Sequence, residues 1–523
     1  MPAVNHDEIE TPSAWMTWPL LAAMLVLVLG SLNPALLADP DTLWHIAAGR
    51  WIVTHQQLPA TDMFSWSMPG TPWTAHEWLS EVILYGVWAT GGFHGVVILV
   101  TACFALTAAY IVRYLCTRME PQQVPAVALL VLGMMETHFL ARPHVMAWPL
   151  LAIWTGTLVT AVDEERSPPW WLLLVLLAWA NLHASFTLAL GIAAALALDA
   201  LVSAPSSAKR QEIVRTWGLF GLGTLVACAI NPNGLGTLQH AVHMMQMKEM
   251  LALISEWKSA DFHEFQLILV WMFVVVGLAL TGRLRLAPVR TVLLLGLLYM
   301  ALKHVRYQST LALASIFLLA TPLGIALRIR RGASGSEPQA ATLDAIMRRL
   351  SAATRPLAIG LAVVLASVWF VVARDRMPSE PVTHIVPQRA LAAYQAAGLG
   401  PGRLLNSYKF GGYLIFRDIP VFIDGRADMY GDPFLKALDQ AVTLKTPHSL
   451  ESLLDQHQIT WTLLATNSAA VEVLDHLPNW RRLYGDSVAV VHVRQSAPVA
   501  PTTPRAPVSP TPPTLTMPAA PTK

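Results

Sequence analysis

Charge is what this sequence has least of. Asp, Glu, Lys and Arg make up only 13% of its 523 residues, while 54% are hydrophobic. A soluble domain carries about 25% charged residues. Half that value leaves too little polar surface to keep more than a small part of the chain in water, and a soluble cytoplasmic enzyme is excluded. Cysteine is scarce as well. Cys103, Cys116 and Cys228 all fall in or beside apolar segments, so neither a disulfide framework nor a thiolate metal site is available. The start, MPAVNHDEIETPSAW, has no Lys or Arg, unlike the basic start of a secretory signal. A net charge of +2 gives no ground for nucleic-acid binding. No Walker or dinucleotide glycine motif is apparent.

What is there instead is a series of apolar runs approaching the ~20 residues that cross a bilayer. They lie at Trp18–Leu37, His94–Val112, Pro125–Leu140, Val145–Val162, Trp170–Leu182 and Ser185–Val202. Others follow at Trp217–Ile230, Leu267–Leu280, Thr291–Leu302, Leu311–Leu327 and Leu357–Val372. Glu77–Thr90 reads as an extra interfacial or re-entrant helix. The basic residues Arg113, Arg118, Arg166, Lys209, Arg210, Arg215, Arg283, Arg285 and Arg290 fall in alternate loops, as do those from Arg328 to Arg355. Cytoplasmic loops retain Lys and Arg, so an inside N-terminus and eleven crossings are mutually consistent. The expected fold is a polytopic α-helical membrane protein with about eleven transmembrane helices and a small C-terminal α/β domain outside.

The corresponding division is a cytoplasmic segment 1–17, a transmembrane domain 18–373 with a first outer loop 38–93, an α/β domain 374–497 and a tail 498–523. In the α/β domain RLLNSY, YLIF, VFIDGR, WTLLAT and VAVVHV read as short buried strands. FLKALDQAV, SLESLLDQ and AVEVLDHL have helical spacing. The tail, rich in proline and threonine, should be disordered.

Polar residues kept beside a membrane are costly and point to function. Here they sit in the outer loops: Asp39, Asp41, His45, His76, Glu77 and Glu81 in the first, then Arg142 and His144, Asn181 and His183, Asn231 with Glu256 and Lys258, and Lys303, His304 and Arg306. Carboxylates and cations from five turns can converge on one outer cavity. After Asp41 the stripe Trp44, Ala47, Ala48 and Trp51 recurs at helical intervals, which suggests an interfacial amphipathic helix. Asp41 is placed either to cap that helix or to act in the site, whereas Asp39 has no capping role to explain it. For the others two readings stay open. Arg142 and Arg306 either snorkel to the interface or bind substrate. His183 either bonds helices together with Asn181 or lines the site, and Glu256 is a loop anchor or a site residue. Asp424 and Arg426 are a structural ion pair in a turn or contribute to acceptor binding.

An Asp-containing motif directly after the first helix, followed by a long outer loop, resembles the GT-C glycosyltransferase superfamily. The order DPDTLWHIAAG, LPATDMFS, HEWLSE is similar to the bacterial branch related to protein mannosyltransferases and lipid A aminoarabinose transferases. ARPHVMAWP, WANLHASF, INPNG, ISEWKS and HVRY add helix-end motifs, so the resemblance spans roughly Trp18–Leu327. It implies a membrane enzyme of the bacterial inner membrane, its C-terminal domain periplasmic. Such an enzyme transfers a sugar from a polyprenyl-phosphate donor to a glycan, lipid or protein acceptor. Sugar transfer needs a base for the acceptor proton and cations for the departing phosphate. The resemblance implies Asp39 as base, with Asp41 or Glu77 orienting it. Arg142 and Arg306 would clamp phosphate, with Lys303, His183, His45 and Glu256 as further substrate contacts. No metal or cofactor is expected. A divalent cation at Asp39 and Asp41, as in the oligosaccharyltransferase relatives, stays open, although no second acidic pair is evident. The histidines do not have HxxxH spacing within one helix, which argues against zinc. The rival readings are a transporter or flippase, and a non-catalytic subunit of an envelope glycan assembly system.

Overall fold

The structure is a computed structural model that describes residues 17–328, 356–383 and 385–495. The expectations for residues 1–16, for the basic loop from Ile329 to Arg355 and for the tail from Ser496 fall outside the described residues.

The first part is helical. In chain order the helices are α1 (Thr17–Ser31), α2 (Asp41–His55), α3 (Trp78–Cys116), α4 (Val124–Glu136), α5 (Pro143–Asp163), α6 (Leu172–Leu182) and α7 (Thr187–Ser203). They continue with α8 (Ser207–Ala229), α9 (Gly236–Gln246), α10 (Lys248–Leu253), α11 (Leu267–Leu280), α12 (Pro288–Lys303), α13 (Gln308–Ala326) and α14 (Pro356–Val372). Five helical stretches among the described residues are long and apolar enough to cross a membrane, and five shorter apolar helices accompany them. At 1.5 Å per residue, α3 exceeds the ~30 Å apolar core of a bilayer. It is broken at Gly92, whose φ of 60° and ψ of −153° suit a residue without a Cβ. The interfacial segment Glu77–Thr90 and the run His94–Val112 are thus two arms of one kinked helix.

A large apolar core built around Trp154, Trp179, Phe186, Phe220 and Phe317 holds the bundle together. Helix α5 gives it polarity. Arg142 stands at its start and Asp163 at its end, about 30 Å apart. At the Asp163 end, Arg290 pairs with Asp163 at 2.6 Å and with Asp199 at 2.7 Å. Arg113, Arg118, Arg166, Arg283 and Arg285 line a hollow of about 1330 Å³ there. The candidate site residues lie at the other end.

The second part is a four-stranded sheet with helices against it. Strands β1 (Leu404–Asn406), β2 (Trp461–Ala465), β3 (Trp480–Gly485) and β4 (Ala489–Arg494) stand in the order β1-β2-β4-β3. β1 and β2 are parallel, and both contacts of β4 are antiparallel. A parallel neighbour needs a long crossover, which here contains α16 (Gly411–Phe416), α17 (Ala427–Val442) and α18 (Ser449–Gln456); α15 (Gln388–Ala396) precedes the sheet and α19 (Ala469–His476) joins β2 to β3. YLIF, expected as a strand, is the end of α16. A four-residue apolar run has no period that separates strand from buried helix. VFIDGR is extended but pairs elsewhere: Val421 exchanges backbone hydrogen bonds with Phe64 and Trp66 of the first outer loop, at 3.1 and 2.9 Å. β3 was not anticipated, because RRLY offers polar residues where a buried strand shows apolar ones.

The two parts share a core. Leu43, Trp44, Ala47 and Ala48 of α2 are buried with Trp73, Phe422, Ile423, Tyr430 and Leu438. Helix α2 is therefore enclosed from Thr42 to Gly49 and does not lie open on a lipid interface; each large apolar side chain so buried contributes about 1.5–3 kcal/mol. A second tie is fully buried. Arg426 binds Asp424 through Nε and Nη2 at 2.8 and 2.7 Å and reaches Asp62 Oδ1 of the outer loop at 2.7 Å. The Tyr430 hydroxyl donates to Asp424 at 2.7 Å. Asp424 and Arg426 form a buried ion pair that, through Asp62, ties the C-terminal part of the chain to the segment between α2 and α3.

Candidate functional site

The site begins with the turn entering α2. Asp39 Oδ1 accepts the backbone N–H of Asp41 at 2.8 Å, so the carboxylate that satisfies the helix start belongs to Asp39. Asp41 makes no cap; the N-cap position is Pro40. The capping contact weighed for Asp41 is made by Asp39 instead, because the helix begins one residue earlier than a capping Asp41 requires. Gly425 lies against this turn, and a Cβ there would collide with Asp41 Oδ1. The DGR turn can therefore press its backbone onto the carboxylate.

Asp41 is turned instead toward Arg142. Preceding Pro143, Arg142 is held extended at φ −125° and ψ 159°, as sterics before proline favour. Its Nε lies 2.7 Å from Asp39 Oδ2, Nη2 pairs with Asp41 and Nη1 with Glu256. Three carboxylates from two outer segments thus converge on one guanidinium, all of them largely buried. Burial raises the Asp39 pKa against the pull of Arg142. It pushes Asp41 up to about 7, again opposed by Arg142, with Asp39 and Glu256 adding to the rise. Burial acts upward on Glu256 too, but Arg142 and Arg306 outweigh it and hold that carboxyl at about 2.

A divalent cation of the oligosaccharyltransferase kind does not fit between Asp39 and Asp41 here. Arg142 fills the point where the oxygen donors meet, and Asp39 has both oxygens engaged.

A different set surrounds Glu77, directly before α3. Its Oε1 lies 3.3 Å from His183 Nε2 and 3.8 Å from His76 Nε2, and its Oε2 is 3.7 Å from His45 Nε2. Among the described residues no Lys or Arg comes within ion-pair distance of it. Burial lowers the pKa of His45, His76 and His183, which leaves three neutral rings around the carboxyl. Burial also pushes Glu77 up to about 8, against the more distant Arg306 and Arg142. His183 does not pair with Asn181: its Nδ1 bonds the Ser185 hydroxyl at 2.7 Å, while Asn181 accepts from Trp78 and donates to Leu177 and Ile230. Glu81, one turn along α3, lies 3.6 Å from His45 Nδ1.

Arg306 completes the ring. Its guanidinium stacks 4.3 Å from the Trp257 ring centroid and stays 4.0 Å from Glu256, so unlike Arg142 it keeps most of its donors. Lys303 is exposed, 5.8 Å from the Tyr299 ring centroid, and it does not line the cavity with the others.

Asp39, Asp41, His45, Glu77, Arg142, His183, Glu256 and Arg306 all line one cavity of about 580 Å³, closed on its far side by Tyr408, Lys409 and Asp428 of the C-terminal domain. A smaller chamber of about 280 Å³ shares Glu77, Arg142, His183, Glu256 and Arg306, and runs between apolar side chains including Trp148, Trp179 and Met300. Arg426, weighed for acceptor binding, also lines this cavity, while Tyr408, Lys409 and Asp428 were missed. The polar cluster of VFIDGRADMYGD was a sequence signal, but it does not disclose where this part of the chain docks.

No protein-family model and no curated protein matches the chain. Solved structures do. The apo oligosaccharyltransferase of Archaeoglobus fulgidus has a TM-score of 0.53 at 13% identity, over 87% of this chain and 70% of that one. Archaeal oligosaccharyltransferase AglB from the same organism, solved with an inhibitory peptide and a dolichol-phosphate, has a TM-score of 0.49 at 12% identity, over 86% and 69%. ArnT from Cupriavidus metallidurans, bound to undecaprenyl phosphate, has a TM-score of 0.48 at 13% identity, over 92% and 98%. The kinked α3, the enclosed α2 and the cavity at one end of the bundle thus belong to a chain whose fold is similar to that of the archaeal oligosaccharyltransferase.

Proposed function

We propose that this chain is an integral-membrane glycosyltransferase that moves a sugar from a polyprenyl-phosphate carrier to a glycan, lipid or protein acceptor. It works on the outer face of a bacterial inner membrane, with eleven crossings, a cytoplasmic N-terminus and a periplasmic C-terminal domain. The observation that carries the reading is the cavity of about 580 Å³ where Glu77, surrounded by neutral histidines, lies across from Arg306. The gathering of basic residues at the opposite end of the bundle supports the orientation. Carboxylates and arginines at helix ends count against a transporter, whose charged sites lie near the bilayer midplane.

In the transfer the acceptor hydroxyl gives its proton to a carboxylate. Its oxygen bonds the anomeric carbon, and the bond from that carbon to the phosphate oxygen breaks. Glu77 suits the base better than Asp39, since its oxygens carry no ion pair and its pKa lies near the operating pH. Arg306 takes the phosphate, whose oxygens fit a guanidinium fork, and the apolar chamber receives the first isoprene units. Arg142 serves as a positioning residue that holds Asp39, Asp41 and Glu256 in place; its donors are not free for phosphate. His45 and His183 wall the base. Asp41, near neutral in pKa, faces the acceptor side.

Binding of undecaprenyl phosphate to purified protein tests this reading. Charged hydrogen bonds are worth about 1.5–3 kcal/mol, so Arg306→Ala should weaken binding about 10- to 100-fold. Equal binding by both proteins removes Arg306 from the clamp. A wild-type chain that does not prefer the phosphate over free polyprenol defeats the transferase assignment.

A further inference from the structure

Three side chains at the edge of the cavity form a second cluster, of which only His76, as a wall of the base, enters that transfer. His76 lies in the loop before α3, His240 in α9, and Asp428 in the first turn of α17. One ring nitrogen from each histidine and one carboxylate oxygen of Asp428 all lie within 4.8 Å of one another. The two rings have centroids 4.8 Å apart. His240 Nε2 stands 3.3 Å from Asp428 Oδ2. The orientation does not make a hydrogen bond, and this buried nitrogen has no other partner among the described residues. Ligand atoms on a tetrahedral zinc ion, with bonds of about 2.0–2.1 Å, are about 3.3 Å apart.

The histidine tautomer fits as well. His76 Nδ1 donates to the Thr74 carbonyl at 3.2 Å, which leaves a lone pair on Nε2. Metal-binding histidines are oriented by such a bond from the other ring nitrogen. Two imidazoles and one carboxylate suit zinc, whereas magnesium and calcium favour oxygen alone. The lack of HxxxH spacing has no bearing on ligands drawn from three separate segments.

We propose that His76, His240 and Asp428 bind one zinc-class divalent cation that fastens α9 and the C-terminal domain to the first outer loop. His76 and Asp428 both line the cavity, so a fourth coordination position is turned toward it.

The test uses full-length protein without a polyhistidine tag, stripped with EDTA and titrated with Zn²⁺ against a chromophoric chelator. One tightly held Zn²⁺ per chain is expected, and Co²⁺ in its place should give the visible absorption of a tetrahedral site. Zinc should restore a melting temperature lowered by EDTA, and it should protect His76 and His240 from diethyl pyrocarbonate, read by mass spectrometry. His240→Ala and Asp428→Asn should each lower affinity at least about 100-fold, since even outer-shell partners are worth 10- to 100-fold. A wild-type chain that takes up no stoichiometric Zn²⁺, or that leaves both histidines equally reactive with and without it, overturns the site even if the variants fail to fold. So does undiminished binding in both variants. None of these readouts is sugar transfer, so a failure here is separable from a failure of the transfer reading.

Discussion

Arg142→Ala should destabilise the protein by about 3–5 kcal/mol at pH 8, the range seen when one partner of a buried ion pair is removed, and by far less at pH 4. The guanidinium is the shared counter-charge of Asp39, Asp41 and Glu256. Without it three largely buried carboxylates face one another, and folding the chain would require them to take up protons. The folded pKa values of Asp39 and Asp41, already above the unfolded ones, rise further, and that of Glu256 rises from about 2 to above its unfolded value. The loss therefore grows as pH increases through the carboxylate range; below pH 4 only the Glu256 share remains, and it vanishes near pH 2. Melting temperatures from pH 4 to 9 for wild type and variant check this, and a pH-independent difference would mean that packing, not charge, accounts for the effect. The vacated position is also an all-oxygen donor set of the kind that suits Mg²⁺ or Mn²⁺. Millimolar Mn²⁺ should raise the melting temperature of Arg142→Ala and leave that of the wild type unchanged. Arg142→Lys should recover part of the stability, because an ammonium restores charge without the planar fork that meets several carboxylates together.

That most of the candidate residues gather at one end of the bundle was legible in the sequence, while the pairing among them was not. Crossing a bilayer forces each helix to keep its charges at its ends, so the positions of Glu77, Arg142, His183, Glu256 and Arg306 between apolar runs placed them at one level. Nothing in that pattern says that Arg142 would be enclosed by carboxylates while Arg306 stays available. That depends on the backbone turn before Pro143 and on how the segment carrying Glu256 folds back. Lys303 shows the limit plainly: it shares the level of Arg306 but leaves its helix on the outer side. The shift of the capping contact from Asp41 to Asp39 came from a single residue at a helix boundary. In the C-terminal part WTLLAT and VAVVHV form strands, since apolar runs of that length flanked by turns have few alternatives. VFIDGR carries a strand-like pattern too, but its backbone partner is the loop at Phe64–Trp66, and local sequence does not encode a partner hundreds of residues away.

Glu77→Gln should abolish most transfer and yet make the protein more stable in alkali. Removal of a general base typically costs about 10²–10⁴-fold in turnover. In the wild type kcat/KM should climb with pH and level off above about 8, where burial places the Glu77 pKa; the glutamine variant should show no such rise. The stability arm follows from the same shift with the opposite consequence. A carboxyl raised from 4.5 to about 8 on folding keeps its proton in the native state after the unfolded chain has released it. Wild-type stability therefore falls as pH rises from about 4.5 to 8 and is flat beyond, a loss on the order of 5 kcal/mol. Glutamine has no proton to lose. With both proteins kept in EDTA, so that no cation sits on His76 beside Glu77, its melting temperature should match the wild type near pH 4 and exceed it by several degrees at pH 9. This half needs no donor or acceptor, so it can be measured before either substrate is identified. A variant that loses turnover but melts below the wild type at pH 9 would show that Glu77 is ionised in the folded protein and held by a cation, and the base would then have to be sought among Asp39 and Asp41.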